Sequence, residues 1–176
     1  MFLPRAITAI AFSLALFTAP AVADSCASQG VIQGAATAFQ NAARSGSADA
    51  FASAAARYAD VNGLAMFALG QYRSKLQGAQ QSKYLTLARS FMGRFMAQNS
   101  SRIPSSPFSI TACSGNTVTA KFDSGGSITF RMAGSSRIAD VTISGVSVAG
   151  AMRNKFTSVI DQNNGDVNAL LAYLAK

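Results

Sequence analysis

The chain contains no histidine, no tryptophan and no glutamate. Of its 176 residues seven are acidic, all of them aspartate, and only two are cysteine. Each shortage excludes something. Without histidine, the side chain that most often exchanges protons near neutral pH is missing, and with it the imidazole base of the familiar serine and cysteine nucleophiles. The seven aspartates stand singly, so no paired-carboxylate motif is visible. Two cysteines and no histidine do not make a zinc-ligand pattern. No phosphate-cradling glycine loop and no dinucleotide fingerprint occurs. An enzyme is therefore not expected, and neither is a catalytic residue, a metal or a cofactor.

What is present begins with an export signal. Arg5 precedes an apolar run from Ala6 to Phe17; Pro20 breaks it, and Ala21-Val22-Ala23 follows. This is the basic, apolar, small-x-small order that a signal peptidase reads. The run is too short to cross a bilayer. Ala23-Asp24-Ser25 before Cys26 lacks the large apolar and small residues of a lipid-modification site. The expected organisation is a signal peptide over 1–23, cleaved after Ala23, and one domain over 24–176. Losing Arg5 leaves 14 Lys and Arg against seven Asp, a net charge of +7 on the exported part. The basic residues are scattered, and export argues against a nucleic acid partner. Anionic membrane surfaces or acidic proteins fit better, although the charge can also serve solubility alone. In an oxidising compartment Cys26 and Cys113 can pair. The bridge would close a loop of about 87 residues, worth roughly 4–5 kcal/mol on the chain-entropy model. Two independent thiols are the alternative.

Patterning predicts helices, then strands, then helices. Val31, Ala35, Ala38, Phe39 and Ala42 recur at helical spacing. Ser47 is placed to cap a second helix and Asp60 a third, which stops at Gly70. The longest helix spans about Ala79 to Asn99 and carries a wide apolar face. Pro104 and Pro107 end this half. Four alternating runs follow, Phe108–Cys113, Thr117–Asp123, Ser127–Met132 and Arg137–Ile143, parted by short glycine- and serine-rich breaks. Loops so short imply an antiparallel meander. Val118, Ala120 and Phe122 share one face of their run, as do Ile128, Phe130 and Met132, and Val141 and Ile143. Two helices close the chain, the second capped by Asp166. The expected fold is α+β: an antiparallel four-stranded meander sheet with helices wrapped over its apolar face.

Two stretches carry a resemblance. One is Ala68-Leu69-Gly70-Gln71-Tyr72-Arg73 ahead of the long amphipathic helix. The other is Ala139-Asp140-Val141-Thr142-Ile143-Ser144-Gly145-Val146-Ser147, followed by Met152-Arg153-Asn154-Lys155-Phe156 and a terminus with Leu170, Leu171 and Leu174. In order and spacing these resemble the MlaC family of toluene-tolerance or periplasmic phospholipid-binding proteins. The tryptophan often found before the aspartate-valine strand is replaced by Arg137-Ile138, and the strand region is shorter.

The resemblance implies a soluble periplasmic monomer whose fold encloses a lipid cavity. It implies a phospholipid ligand and transient partners: an inner-membrane ABC transporter complex and an outer-membrane lipoprotein complex. Such a shuttle maintains outer-membrane lipid asymmetry. A branch of the family is linked to hopanoids, so a hopanoid-type cargo is an alternative, as is an exported adaptor with a packed core. On the carrier reading the wall of the cavity would comprise Leu69, Tyr72, Phe91, Phe95, Val118, Phe122, Phe130, Met132, Val141, Ile143 and Phe156. These residues lie on shared apolar faces at helical or strand spacing.

Overall fold

The computed structural model describes residues 26–143 and 145–176. The expected signal peptide lies outside the described residues. Local capping chemistry sets the helical half. α1 (Gln29–Ser45) stops at Gly46, whose φ of 65° lets its N–H reach Ala42 O at 3.0 Å. Glycine takes this left-handed conformation without a Cβ clash. α2 (Ala48–Tyr58) begins at Ser47, whose Oγ accepts from Ala50 N at 3.2 Å. α3 (Val61–Ala68) begins at Asp60, whose carboxylate accepts from Gly63 N at 2.9 Å. Each cap satisfies an amide that the first turn of a helix leaves unpaired. A 3-10 segment, Gly70–Lys75, leads into α4 (Ala79–Gln98). α2 and α4 approach closely at Gly93: a Cβ there would lie 2.5 Å from Ala48 O.

The strands β1 (Phe108–Ser114), β2 (Thr117–Phe122), β3 (Ser127–Ala133) and β4 (Arg137–Ile143) form an antiparallel meander in chain order. The sheet has five strands, not the expected four. The chain turns at Gly145 (φ 80°), and β5 (Val146–Ser147) pairs with Ile143 and Thr142. A two-residue strand is too short to show alternation, so periodicity could not reveal it. The other end of β4 meets Ala59 through a parallel bridge to Ile138, and Asp60 N donates to Ile138 O at 2.8 Å. α5 (Val148–Asp161) and α6 (Val167–Leu174) follow; Asp166 caps α6 by accepting from Asn168 N at 2.9 Å.

Two bulges decide which residues face inward. In β1 the register shifts between Ile110 and Ala112, so Cys113 opposes Val118. Between β3 and β4 it shifts after the Arg131–Asp140 pair, so Met132 opposes Ile138. An extra residue reverses the alternation beyond it. Cys113 and Ile138 thereby join the apolar face that simple period-two counting denies them.

Among the described residues, most buried apolar side chains gather in two clusters. Ile32 and Ala35 of α1 cover Val118, Ala120, Phe130, Met132 and Ile138 on the sheet. The second cluster is entirely helical: it joins α3, the 3-10 segment, α4, α5 and α6 around Tyr84, Phe156 and the leucines of α6. The wide apolar face of α4 thus serves the helical cluster, and α1 roofs the apolar face of the sheet.

Candidate functional site

The expected wall residues divide between these clusters. Val118, Phe130 and Met132 are buried on the sheet, with half-buried Val141 beside them. Facing them are Ile32 and Ala35, with Val31 and Phe39 partly buried alongside. Helical spacing had marked several of these α1 residues as apolar. It gave no sign that this face, rather than that of α4, lies against the sheet. Phe122 is half-buried near the sheet's edge, its ring 6.0 Å from that of its cross-strand partner Phe108. Ile143, at the end of β4, is 49 % exposed.

The remaining five belong to the helical side. Leu69, Tyr72 and Phe156 are buried and Phe91 packs against them. The rings form a continuous ladder. Phe95 stacks on Phe91 at 6.2 Å, Phe91 meets Phe156 edge-on at 5.7 Å, and Phe156 meets Tyr84 edge-on at 6.4 Å. Exposure falls from 51 % at Phe95 to zero at Phe156 and Tyr84. Such edge and offset contacts suit the ring quadrupoles. Beside the outer rings lies a depression of about 240 Å³ lined by Phe91, Phe95, Tyr173, Arg94, Gln98 and Lys176. Arg94 donates to Leu174 O at 2.5 Å, which fixes its guanidinium against the end of α6. A second depression, of about 470 Å³, opens beside the 3-10 segment between Met66, Arg73 and Gln81. Neither depression joins the sheet set to the helical set.

Two corners hold these surfaces in place. At the first, Asp140 is almost fully buried. Its Oδ1 accepts from Val141 N at 2.8 Å and Ala149 N at 2.9 Å, and its Oδ2 accepts from Ser147 Oγ at 2.6 Å. Ser147 Oγ in turn accepts from Gly150 N at 2.9 Å. The aspartate and serine together cap α5 and tie it to β4; a carboxylate also suits the positive end of a helix.

At the second corner, Gly70 has a φ of 55°, and a Cβ there would lie 3.0 Å from Arg153 Nε and 3.2 Å from Thr157 Cγ2. Glycine is required both for the turn and for the close approach of α5. Tyr72 O–H donates to Asp161, which raises the phenol above its ordinary pKa. Lys75 Nζ sits 5.0 Å from the centre of the Tyr72 ring and donates to Gly165 O at 3.2 Å. Deeper in the same cluster, burial pushes the Tyr84 phenol up as well, and its O–H donates to Ala65 O at 2.6 Å.

Cys26 and Cys113 are joined, with Cα atoms 5.9 Å apart and a sequence separation of 87. Among the described residues no group of three or more His, Cys, Asp or Glu side chains is arranged to hold a metal ion. No helix among them is long and apolar enough to cross a membrane.

The family model described as MlaC protein matches residues 29–176, from the start of α1 to the end of the chain. The chain belongs to the MlaC family. Both sequence stretches that carried the resemblance are the corners just described. In this chain the residues of those stretches serve helix capping and close backbone approach. No curated protein is significantly similar to the chain in sequence. Among solved structures, a phospholipid-binding protein from Ralstonia solanacearum, in complex with a phospholipid, shares the fold with a TM-score of 0.67. It is 16 % identical, and the match covers 84 % of this chain and 94 % of that one.

Proposed function

We propose that this MlaC-family protein binds phospholipid and carries it through the periplasm, as the water-soluble link of an ABC-type lipid transport system. The observation that carries this reading is the fold itself. Over most of its length the chain superposes on a protein solved with a phospholipid bound. The chemistry suits a carrier. Withdrawing acyl chain from a membrane costs about 0.8 kcal/mol per CH₂. A carrier must therefore offer apolar surface in its place, and it needs no nucleophile or base. The apolar side of the sheet supplies such a surface, and α1, which covers it, contributes two buried side chains to that cluster. On this reading residues 1–23 are removed after Ala23, residues 24–176 act as one monomeric domain, and the protein is not an enzyme. It meets an inner-membrane ABC transporter complex and an outer-membrane lipoprotein complex in turn, and so preserves the lipid asymmetry of the outer membrane.

The proposed wall on the sheet is Val118, Phe122, Phe130, Met132, Val141 and Ile143. Leu69, Tyr72, Phe91, Phe95 and Phe156 form the helical part, reached if the two clusters part to admit the chains. Native mass spectrometry of protein purified from its own periplasm tests the reading. A bound mass matching a phospholipid, recovered by organic extraction, supports it. A hopanoid would keep the carrier and change the cargo. A clean apo mass with no uptake from liposomes would leave only packed core and favour an adaptor. Phe130→Trp, which adds bulk at the centre of the sheet face, is expected to reduce lipid uptake at least about tenfold while the protein stays folded. Unchanged uptake would place the chains elsewhere.

A further inference from the structure

α1 is lightly packed for its length. Of its 17 residues three are buried, Ile32, Ala35 and Ala42, and two of those are alanine. α6 buries four of its eight, Val167, Leu170, Leu171 and Leu174. Apolar attraction scales with buried area, so side-chain contact holds α1 more weakly per residue than it holds α6. Yet α1 is the element that roofs the apolar face of the sheet. A covalent bond adds to its grip. Cys26, just before its first turn, is joined to Cys113 of β1. The bulge in β1 brings Cys113 to the α1 side of the sheet, and its place on the outermost strand leaves it exposed. At its other end α1 passes through Gly46 into α2. The helix is thus held at both ends, and one of those attachments is chemically reversible.

We infer that the Cys26–Cys113 bond is a site of thiol–disulfide exchange that determines whether α1 stays closed over the apolar face of the sheet. The reductant is a protein dithiol. One of its thiolates attacks Cys113 Sγ, the bond to Cys26 breaks, and Cys26 leaves as a thiolate that takes up a proton. The second thiol of the reductant then displaces Cys113 from the mixed disulfide. Cys26 and Cys113 gain two electrons and two protons, and the dithiol becomes a disulfide. Once released, α1 pivots about Gly46 and uncovers Val118, Phe130 and Met132. Oxidation closes it again. The consequence for lipid, faster release from the reduced form, rests on the carrier reading above.

The test uses the chain from residue 24 onward in three forms: oxidised, reduced with excess dithiothreitol, and as the Cys26→Ser/Cys113→Ser double variant. Hydrogen exchange is followed at α1 and, for comparison, at α5 and α6. Lipid release is followed after loading from phosphatidylethanolamine–phosphatidylglycerol vesicles that contain a fluorescent phosphatidylglycerol. Freeing one of two attachments lowers the local concentration of α1 at the sheet, and an effect of about 10²-fold or more is typical of such linkage. The expected result is exchange in α1 about a hundredfold faster in the reduced and double-variant forms, with α5 and α6 unchanged and lipid released faster. Unchanged protection of α1 with both thiols free would overturn the inference. So would loss of protection in all three helices together, because the bond would then hold the whole fold rather than one helix. If α1 is freed on reduction but even the oxidised protein takes up no lipid, the exchange site stands and the carrier reading falls.

Discussion

Replacing Asp140 tests whether the aspartate-valine and glycine-valine-serine pattern is a structural lock. The carboxylate accepts three hydrogen bonds, from Val141 N, Ala149 N and Ser147 Oγ, and is 8 % exposed. A hydrogen bond to a charged group contributes about 1.5–3 kcal/mol, and a buried donor left unpaired costs about 1–3 kcal/mol. The three share one acceptor group and do not add, so Asp140→Ala is expected to cost about 3–5 kcal/mol. Asp140→Asn separates charge from shape. Its amide oxygen can still accept from both backbone amides. Its amide nitrogen would face Ser147 Oγ, which already accepts from Gly150 N and has a second lone pair to offer. The asparagine variant is therefore expected to lose only about 1–1.5 kcal/mol, the charge assistance and its interaction with the helix dipole. With a urea m-value of about 2 kcal/mol/M, the alanine variant should unfold at about 1.5–2.5 M less urea and the asparagine variant at about 0.5–0.8 M less. Combining Asp140→Ala with Ser147→Ala should cost less than the sum of the two, because they dismantle one network. An alanine variant within about 0.5 kcal/mol of the parent would refute the lock. Equal losses for alanine and asparagine would show that the charge, not the geometry, holds the corner.

Other outcomes follow from single contacts. Gly93→Ala gains about 1 kcal/mol of helix propensity but forces a methyl to 2.5 Å from Ala48 O and 3.1 Å from Ala52 Cβ. Overpacking of this kind costs about 1–3 kcal/mol, so thermal unfolding should show a lower Tm despite the better helix former. The Tyr84 phenol is raised by burial. Below about pH 10 both states keep the proton and the stability from the buried phenol is intact. Above that the unfolded chain ionises first, and stability should fall by about 1.4 kcal/mol per pH unit until the folded phenol also ionises. Tyr84→Phe loses the bond to Ala65 O at every pH but should flatten this alkaline limb, as urea midpoints measured across the range would show. Tyr72→Phe removes the donor to Asp161 and should lower the urea midpoint, with an unchanged midpoint showing that the contact is solvated.

Much of the secondary structure was legible because its causes are local. Ser47, Asp60 and Asp166 act as caps, and the third segment gives way at Gly70 to a 3-10 turn. The alternation of Val118 with Thr119, and of Phe130 with Arg131, marks an apolar and a polar side, as burial in those strands confirms. β5 escaped notice because two residues carry no period, and the inward turn of Ile138 escaped because it depends on a bulge. Of the candidate site, the apolar residues were identifiable but their partners were not. Phe91, Phe95 and Phe156 fall into one ladder and Val118, Phe130 and Met132 into another cluster, although all six share the same hydrophobic character.

By itself the sequence determined the α+β order, the helix starts and the antiparallel meander. Caps, breakers and periodicity act between residues a few positions apart. It also carried the family pattern, since the residues of each stretch are close neighbours in the chain and, at the Asp140 corner, so are the groups they bond. Only the tertiary structure decided that α1 roofs the sheet, that α4 turns its apolar face to a separate helical cluster, and that Cys113 faces Cys26. Those outcomes depend on register shifts and on contacts between residues tens of positions apart. Hydrophobic attraction has no direction of its own, so an apolar face does not specify which other apolar face it will meet.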